Sequence, residues 1–213
     1  MGREIEIKLP LSDSEYQSLF EFVNGQKFYD GVEIPSGAPE RLLKSDEYYS
    51  RYQTHAERKA AGEPQVIRIR SERIVREGGA VSEGGETNER SFFCIKRKSI
   101  ENGIELNRED ETFVENADVV RDLLTLYGYH KFFEKNKDAL SVHCQSKVLE
   151  GADFHLELEI INGLKYVEIE VTDEGAAADA VRAALEKFVA LFGLDASKRD
   201  SRSWMEIIKG GID

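Results

Sequence analysis

Apolar and charged residues alternate along much of this chain. Glu4-Ile5-Glu6-Ile7-Lys8 sets the pattern, with Glu, Glu and Lys at every second position and Ile5, Ile7 and Leu9 between them. Side chains of a strand point to opposite faces in turn, so this is a ribbon with one apolar and one charged face. The same period returns in Val66-Ile67-Arg68-Ile69-Arg70 and in Ser91 to Lys98, where Lys96 and Lys98 share a face. Ile104 to Val114 puts Glu105, Asn107, Glu109 and Glu111 on one side. Phe132 to Leu140 carries Lys135 and Lys137 and runs on into Ser141 to Lys147. Residues 154–161 set His155, Glu157 and Glu159 against Leu156, Leu158 and Ile160, and Lys165 to Val171 sets Glu168 and Glu170 against Val167 and Ile169. Asp46 to Tyr52 also reads as a strand.

A helical period appears in a few places. Ser12-Asp13-Ser14-Glu15 is a capping box, followed by Tyr16, Leu19, Phe20 and Val23 on one face and Gly25 as a stop. Ala117 to Tyr127 and about 176–192 give two more amphipathic helices. Ser203 to Lys209 opens on a second Ser-x-x-Glu box and presents Trp204, Ile207 and Ile208 as an anchor. Asn102-Gly103 and Asn162-Gly163 mark tight hairpins. Residues 31–40 read as loop, 53–64 as a connection with a short helical turn, and 77–90, rich in Gly and Glu, as a long hairpin tip. The sum is about eight strands in mostly hairpin order with three or four helices, and no internal repeat or linker. It predicts one α+β domain over residues 1–213, built on a large antiparallel sheet or closed β-barrel.

Composition narrows this. With 213 residues, 40% apolar and 33% charged, the chain has the makeup of a soluble globular protein. No apolar run is long enough for a membrane span, and strand-like sequence from residue 4 leaves no room for a signal peptide. Cys94 and Cys144 show no metal-ligand spacing, which fits a cytoplasmic protein and argues against zinc. A net charge of −12 argues against binding long nucleic acid through the general surface.

The charged strand faces are segregated by sign. Glu4/Glu6, Glu105/Glu109/Glu111, Glu157/Glu159 and Glu168/Glu170 are acidic; Lys8, Arg68/Arg70, Lys96/Lys98 and Lys135/Lys137 are basic. Like charges stacked at i and i+2 repel. One resolution pairs acidic with basic strands on a solvated face. The other closes the sheet with the charges inside and the helices over the apolar outside. The lumen would then hold carboxylates for a metal ion and cations for phosphates. The pattern alone leaves both open.

Glu4-x-Glu6-x-Lys8 resembles the ExExK signature of the CYTH superfamily, the triphosphate tunnel metalloenzymes. Six further stretches resemble that family in order: Asp46-Glu47-Tyr48-Tyr49, Ile67-Arg68-Ile69-Arg70, Ile95-Lys96-Arg97-Lys98, Glu105 to Glu111, Glu134-Lys135-Asn136-Lys137, and Leu156 to Glu159 with Gly163-Leu164 and Val167 to Glu170. Ser201-Arg202-Ser203-Trp204 is similar to the start of the family's C-terminal helix. Ser99-Ile100 stands where the family often has Gly-Pro, Lys137 where Arg is common, and Trp204 where Tyr is common, which leaves the subgroup open.

The resemblance implies an eight-stranded antiparallel tunnel with helices packed outside. It implies that Glu4, Glu6 and Glu170, with Glu168, hold Mg²⁺ or Mn²⁺, and that Glu157 and Glu159 join through water or bind a second ion. Lys8, Arg68, Arg70, Lys96, Lys98, Lys135, Lys137 and Arg202 would grip a triphosphate, and Glu105, Glu109 and Glu111 would complete the acidic wall. Glu4, Glu6, Lys8 and Glu170 would be the catalytic set. The implied activity is metal-dependent hydrolysis of a small triphosphate-containing substrate, inorganic, nucleoside or organic, by a monomer or homodimer. The alternatives are a class IV adenylyl cyclase, releasing cyclic AMP and pyrophosphate, and a binding protein without turnover. Asp46 is left as either a catalytic residue or a strand-end cap. His155 is weighed towards a structural role.

Overall fold

A computed structural model of the chain describes residues 3–35, 39–62, 65–75, 89–101, 104–173 and 178–209. The strands are β1 (Arg3–Pro10), β2 (Val32–Glu33), β3 (Glu40–Ser50), β4 (Gln65–Val75), β5 (Glu89–Glu101), β6 (Ile104–Val114), β7 (His130–Ser146), β8 (Asp153–Ile161) and β9 (Leu164–Asp173). The helices are α1 (Asp13–Val23), α2 (His55–Ala60), α3 (Ala117–Leu126), α4 (Ala178–Leu191) and α5 (Trp204–Ile208). The strand order is β2-β7-β3-β4-β5-β6-β1-β9-β8, and β8 pairs again with β7. Eight strands thus close into an antiparallel barrel, and β2 is an extra strand laid against β7. By its internal contacts the chain forms two compact units.

The first unit comprises residues 1–41, 99–108 and 138–201. Ile5, Ile7 and Leu9 of β1, Leu156 and Leu158 of β8, and Val167 and Ile169 of β9 form one apolar surface. Leu19, Phe22 and Val23 of α1 and Leu185, Phe188 and Val189 of α4 cover it. Phe188 stacks on Phe154 at 4.0 Å between ring centroids. Helix α1 starts on the expected box, with Ser12 capping the Glu15 amide and Glu15 accepting from the Ser12 amide. The β8–β9 hairpin turns at Asn162-Gly163, both with positive φ, as the tight turn requires.

The second unit comprises residues 42–98, 109–137 and 202–213. Here α3 lays Val120 and Leu124 on Tyr49 of β3, Ile67 and Ile69 of β4 and Phe93 of β5. Arg121 of α3 donates to Glu47 at 2.9 Å and ties the helix down at its polar edge. Helix α5 buries Trp204, Met205 and Ile207, and its indole lies 5.2 Å from the Lys135 ammonium of β7.

Several boundaries differ from the sequence expectation. Residues 31–40 are not all loop, since Val32–Glu33 forms β2 and Glu40 already belongs to β3. Two residues are too few to show a period, and the adjacent Leu42-Leu43 hides the alternation of β3. The connection at 53–64 contains α2, as the expected helical turn. Glu89 and Arg90 belong to β5, while 77–88 of the expected tip and the Asn102-Gly103 turn lie outside the described residues.

Candidate functional site

Both faces of the central strands are buried. On β1, Ile5 and Ile7 sit under the helices, yet Glu6 and Lys8, on the opposite face, are also removed from water, Lys8 to 3% exposure. A strand with one solvated face would leave these charges in water. The charged face of β1 is therefore withdrawn from solvent, as are Glu157 and Glu159 of β8, which sets the solvated-face reading of these strands aside.

In the first unit, register lines the carboxylates up. Glu6 of β1 stands opposite Glu105 of β6 and Glu170 of β9. Lys8 stands opposite Glu168, and Glu168 opposite Glu157 of β8. The convergence is at Glu157, Glu159 and Glu168, whose ligand oxygens lie within 4.8 Å of one another, with Glu157 and Glu159 buried. Three carboxylates this close repel strongly unless a cation joins them. An all-oxygen donor set suits a hard divalent ion, so the residues fit the metal that the resemblance implies.

Glu6 and Glu170 also meet polar side chains of neighbouring strands. The buried Asn107 amide donates to Glu6 at 3.1 Å. Glu170 pairs with His155 Nδ1 at 2.7 Å, and His155 Nε2 meets Ser141 Oγ at 2.7 Å. The His143 ring stacks on His155 at 4.8 Å and is itself pinned to Asp153. His155 thus belongs to the charged face rather than to the core, held between a serine and a carboxylate. Asn107 and Ser141 carry no charge and gave no sequence signal beyond their parity with Glu105 and with Lys137.

In the second unit the cations gather around two carboxylate centres. Asp46, fully buried, accepts a two-pronged contact from Arg70, Nε to Oδ1 at 2.7 Å and Nη2 to Oδ2 at 3.1 Å. The Lys135 ammonium stands 3.4 Å from the same carboxylate. Burial pushes the Asp46 carboxyl up, but Arg70, Arg68 and Lys135 outweigh it and hold the group well below its usual range. Glu109 takes Lys96 at 2.7 Å and Arg68 at 3.0 Å, and Arg68 also reaches Glu111 at 3.2 Å. Burial raises Glu109, and Lys96 and Arg68 overcome it, leaving its pKa at about 2. Burial and the neighbouring Arg70 disfavour charge on Arg68, yet Asp46 and Glu109 more than offset both. Cys94 lies with Glu109 and Glu111, but Lys96 and Arg68 already balance those carboxylates. Burial pushes the thiols of Cys94 and Cys144 up to about 12, so neither is a nucleophile at neutral pH.

Of the other expected residues, Lys135 and Lys137 are buried on one face of β7, and Arg202 is exposed just ahead of α5. The strand positions of Glu4, Glu105 and Lys98 are described, but their side chains lie outside the described residues. Sequence reading missed Lys44, a buried lysine on the Asp46 face of β3 that stands 3.8 Å from Glu72.

No family model and no curated protein matches the chain by sequence. Solved structures do match it by fold. The PH1819 protein of Pyrococcus horikoshii superposes with a TM-score of 0.65 at 19% identity, over 97% of this chain and 98% of that one. A candidate adenylate cyclase of Vibrio parahaemolyticus gives 0.62 at 18% identity, over 98% of each chain. The Hippeastrum protein HpAC1, a candidate adenylyl cyclase with a dominant triphosphatase activity, gives 0.57 at 16% identity, over 99% of this chain and 96% of that one. These likenesses establish the fold, and the expected closed eight-stranded antiparallel barrel with helices is borne out.

Proposed function

We propose that the protein is a divalent-metal-dependent hydrolase of triphosphate-containing small molecules. The observation that carries this reading is the convergence of Glu157, Glu159 and Glu168 within 4.8 Å on an enclosed face. Three carboxylates converging on a largely buried strand face present an all-oxygen donor set of the kind a hard divalent ion takes. Glu157, Glu159 and Glu168 would hold Mg²⁺ or Mn²⁺, with Glu4, Glu6 and Glu170 flanking them on β1 and β9. The ion supplies Lewis-acid polarisation and a water of lowered pKa.

The chain's own residues do the rest. Lys8 lies in the same cross-strand row as Glu168 and Glu157 and gives the first unit a cation for a phosphate oxygen. In the second unit Arg68, Arg70, Lys96 and Lys135 form a cation cluster whose guanidinium forks suit phosphate oxygens and whose ammoniums add point charge. Lys98, Lys137 and Arg202 extend the cationic set. Such donors stabilise charge that builds on phosphoryl oxygens as the bond to the leaving group lengthens. HpAC1, with the same fold and a dominant triphosphatase activity, supports hydrolysis as the main reaction.

Orthophosphate release from tripolyphosphate, ATP and thiamine triphosphate tests this, with Mg²⁺ or Mn²⁺ and with chelator. Release that needs the ion is the expected result. Cyclic AMP with pyrophosphate would instead assign the cyclase reaction, and tight binding without turnover the binding protein. We infer a monomer or homodimer in the cytoplasm. Among the described residues no helix is long and apolar enough to cross a membrane.

A further inference from the structure

Asp46 sits in the middle of the cations that the proposed function assigns to phosphate. It is fully buried, on the face of β3 that also carries Lys44, and it is opposite in parity to Glu47 and Tyr49, which face α3. Its two oxygens take the Nε and Nη2 edge of Arg70, the Lys135 ammonium stands 3.4 Å away, and the Tyr48 hydroxyl approaches Oδ2 at 3.5 Å. A strand-end cap would bind a backbone amide at a chain turn. Asp46 instead lies mid-strand, and its carboxylate meets the side chains of Arg70, Lys135 and Tyr48.

We propose that Asp46 is a positioning residue for the phosphate-binding cations, acting through Arg70. The proposal rests on the triphosphate reading of the site. The geometry supplies the argument. A guanidinium has five N–H donors in a rigid plane, and the fork on Asp46 uses two of them along one edge. Fixing that edge fixes the plane, and so the direction in which the remaining donors point. Lys135 stands near the same carboxylate and lies over the Trp204 ring, 5.2 Å from its centroid, a contact that does not depend on Asp46. The two cations in contact with Asp46, Arg70 and Lys135, together carry one charge more than it does. Asp46 therefore orders the cluster without neutralising it. Such a residue touches no reacting atom. Its loss weakens a grip shared by ground state and transition state, which raises KM and leaves kcat nearly unchanged.

The test is Asp46→Asn. Asparagine keeps the shape but offers one acceptor and one donor, so it cannot take the Arg70 fork. In the wild-type protein, tripolyphosphate binds in chelator by calorimetry and is hydrolysed with divalent ion. In Asp46→Asn the KM and the calorimetric Kd rise about tenfold, as for one lost charge-assisted contact, with kcat within about twofold. The Asp46→Asn/Arg70→Gln double variant removes both charges of the pair together, so it folds even where the single variant does not. It binds tripolyphosphate as Arg70→Gln alone does. Unchanged Kd in Asp46→Asn, or a double variant several-fold weaker than Arg70→Gln, overturns the positioning role and leaves the hydrolase reading intact. A wild-type protein that neither binds nor hydrolyses tripolyphosphate overturns both.

Discussion

At the scale of single residues, the two sets of carboxylates differ in what they gather. Glu157, Glu159 and Glu168 converge on one another, whereas Glu109 and Asp46 converge on cations. Replacing Glu157 with Gln should lower ion-dependent phosphate release by about a hundredfold or more, while the circular dichroism spectrum is unchanged. Activity kept at wild-type level in that variant would remove Glu157 from the ion site. Glu109 makes a different prediction. Its pKa falls from 4.5 to about 2 on folding, so it contributes stability that is fully present above 4.5. That contribution is lost as pH drops towards about 2. Asp46, also held low, adds to the same acid limb. Urea midpoints measured across this range should fall steeply in the wild type and less so in Glu109→Gln, and identical slopes would refute the assignment. The alternation at every second position made each charged face legible in the sequence. It could not reveal that Glu170 would pair with His155 and that Glu168 would join Glu157, because both facts follow from the register of β8 against β9.

At the scale of elements, the helices are held by apolar contact. Ile5, Ile7 and Leu9 need a cover on one face only, and α1 and α4 supply it. Phe188 of α4 is fully buried and stacked on Phe154 of β8, so Phe188→Ala should cost about 3–5 kcal/mol in a denaturant titration. A loss under about 1 kcal/mol would mean that α4 is not the lid of this core. These helices were readable because their apolar residues recur at helical spacing after a capping box or before a glycine. β2 and the first half of β3 were not. The consequence reached the site, since Lys44 lies in the unread part of β3. Helix α5 was readable as an anchor from Trp204, but its place beside Lys135 depends on tertiary packing that no local pattern encodes.

At the scale of the whole chain, the hairpin order and the two-signed strand faces make the fold class legible in the sequence. Closure itself needed the β7–β8 pairing, between strands not adjoining in the order of the open sheet. The chain bears a net charge of −12, yet buries Lys8, Lys44, Lys135, Lys137 and Arg68. An anion held by such buried cations binds the folded state alone. Tripolyphosphate at a hundred times its Kd should then add about 2.7 kcal/mol of stability, a rise of about 5–10 °C in Tm, in chelator. Sodium chloride at matched ionic strength should not do so, and equal shifts from both salts would show that the effect is general screening.

The most direct measurement follows tripolyphosphate by phosphorus NMR with the wild-type protein and Mg²⁺ or Mn²⁺, beside the Glu159→Gln variant and a chelated control. The account predicts orthophosphate and pyrophosphate growing together in the wild-type sample, and an unchanged tripolyphosphate spectrum in the other two. Turnover that persists in Glu159→Gln or in chelator, or an intact substrate in the wild-type sample, would contradict it.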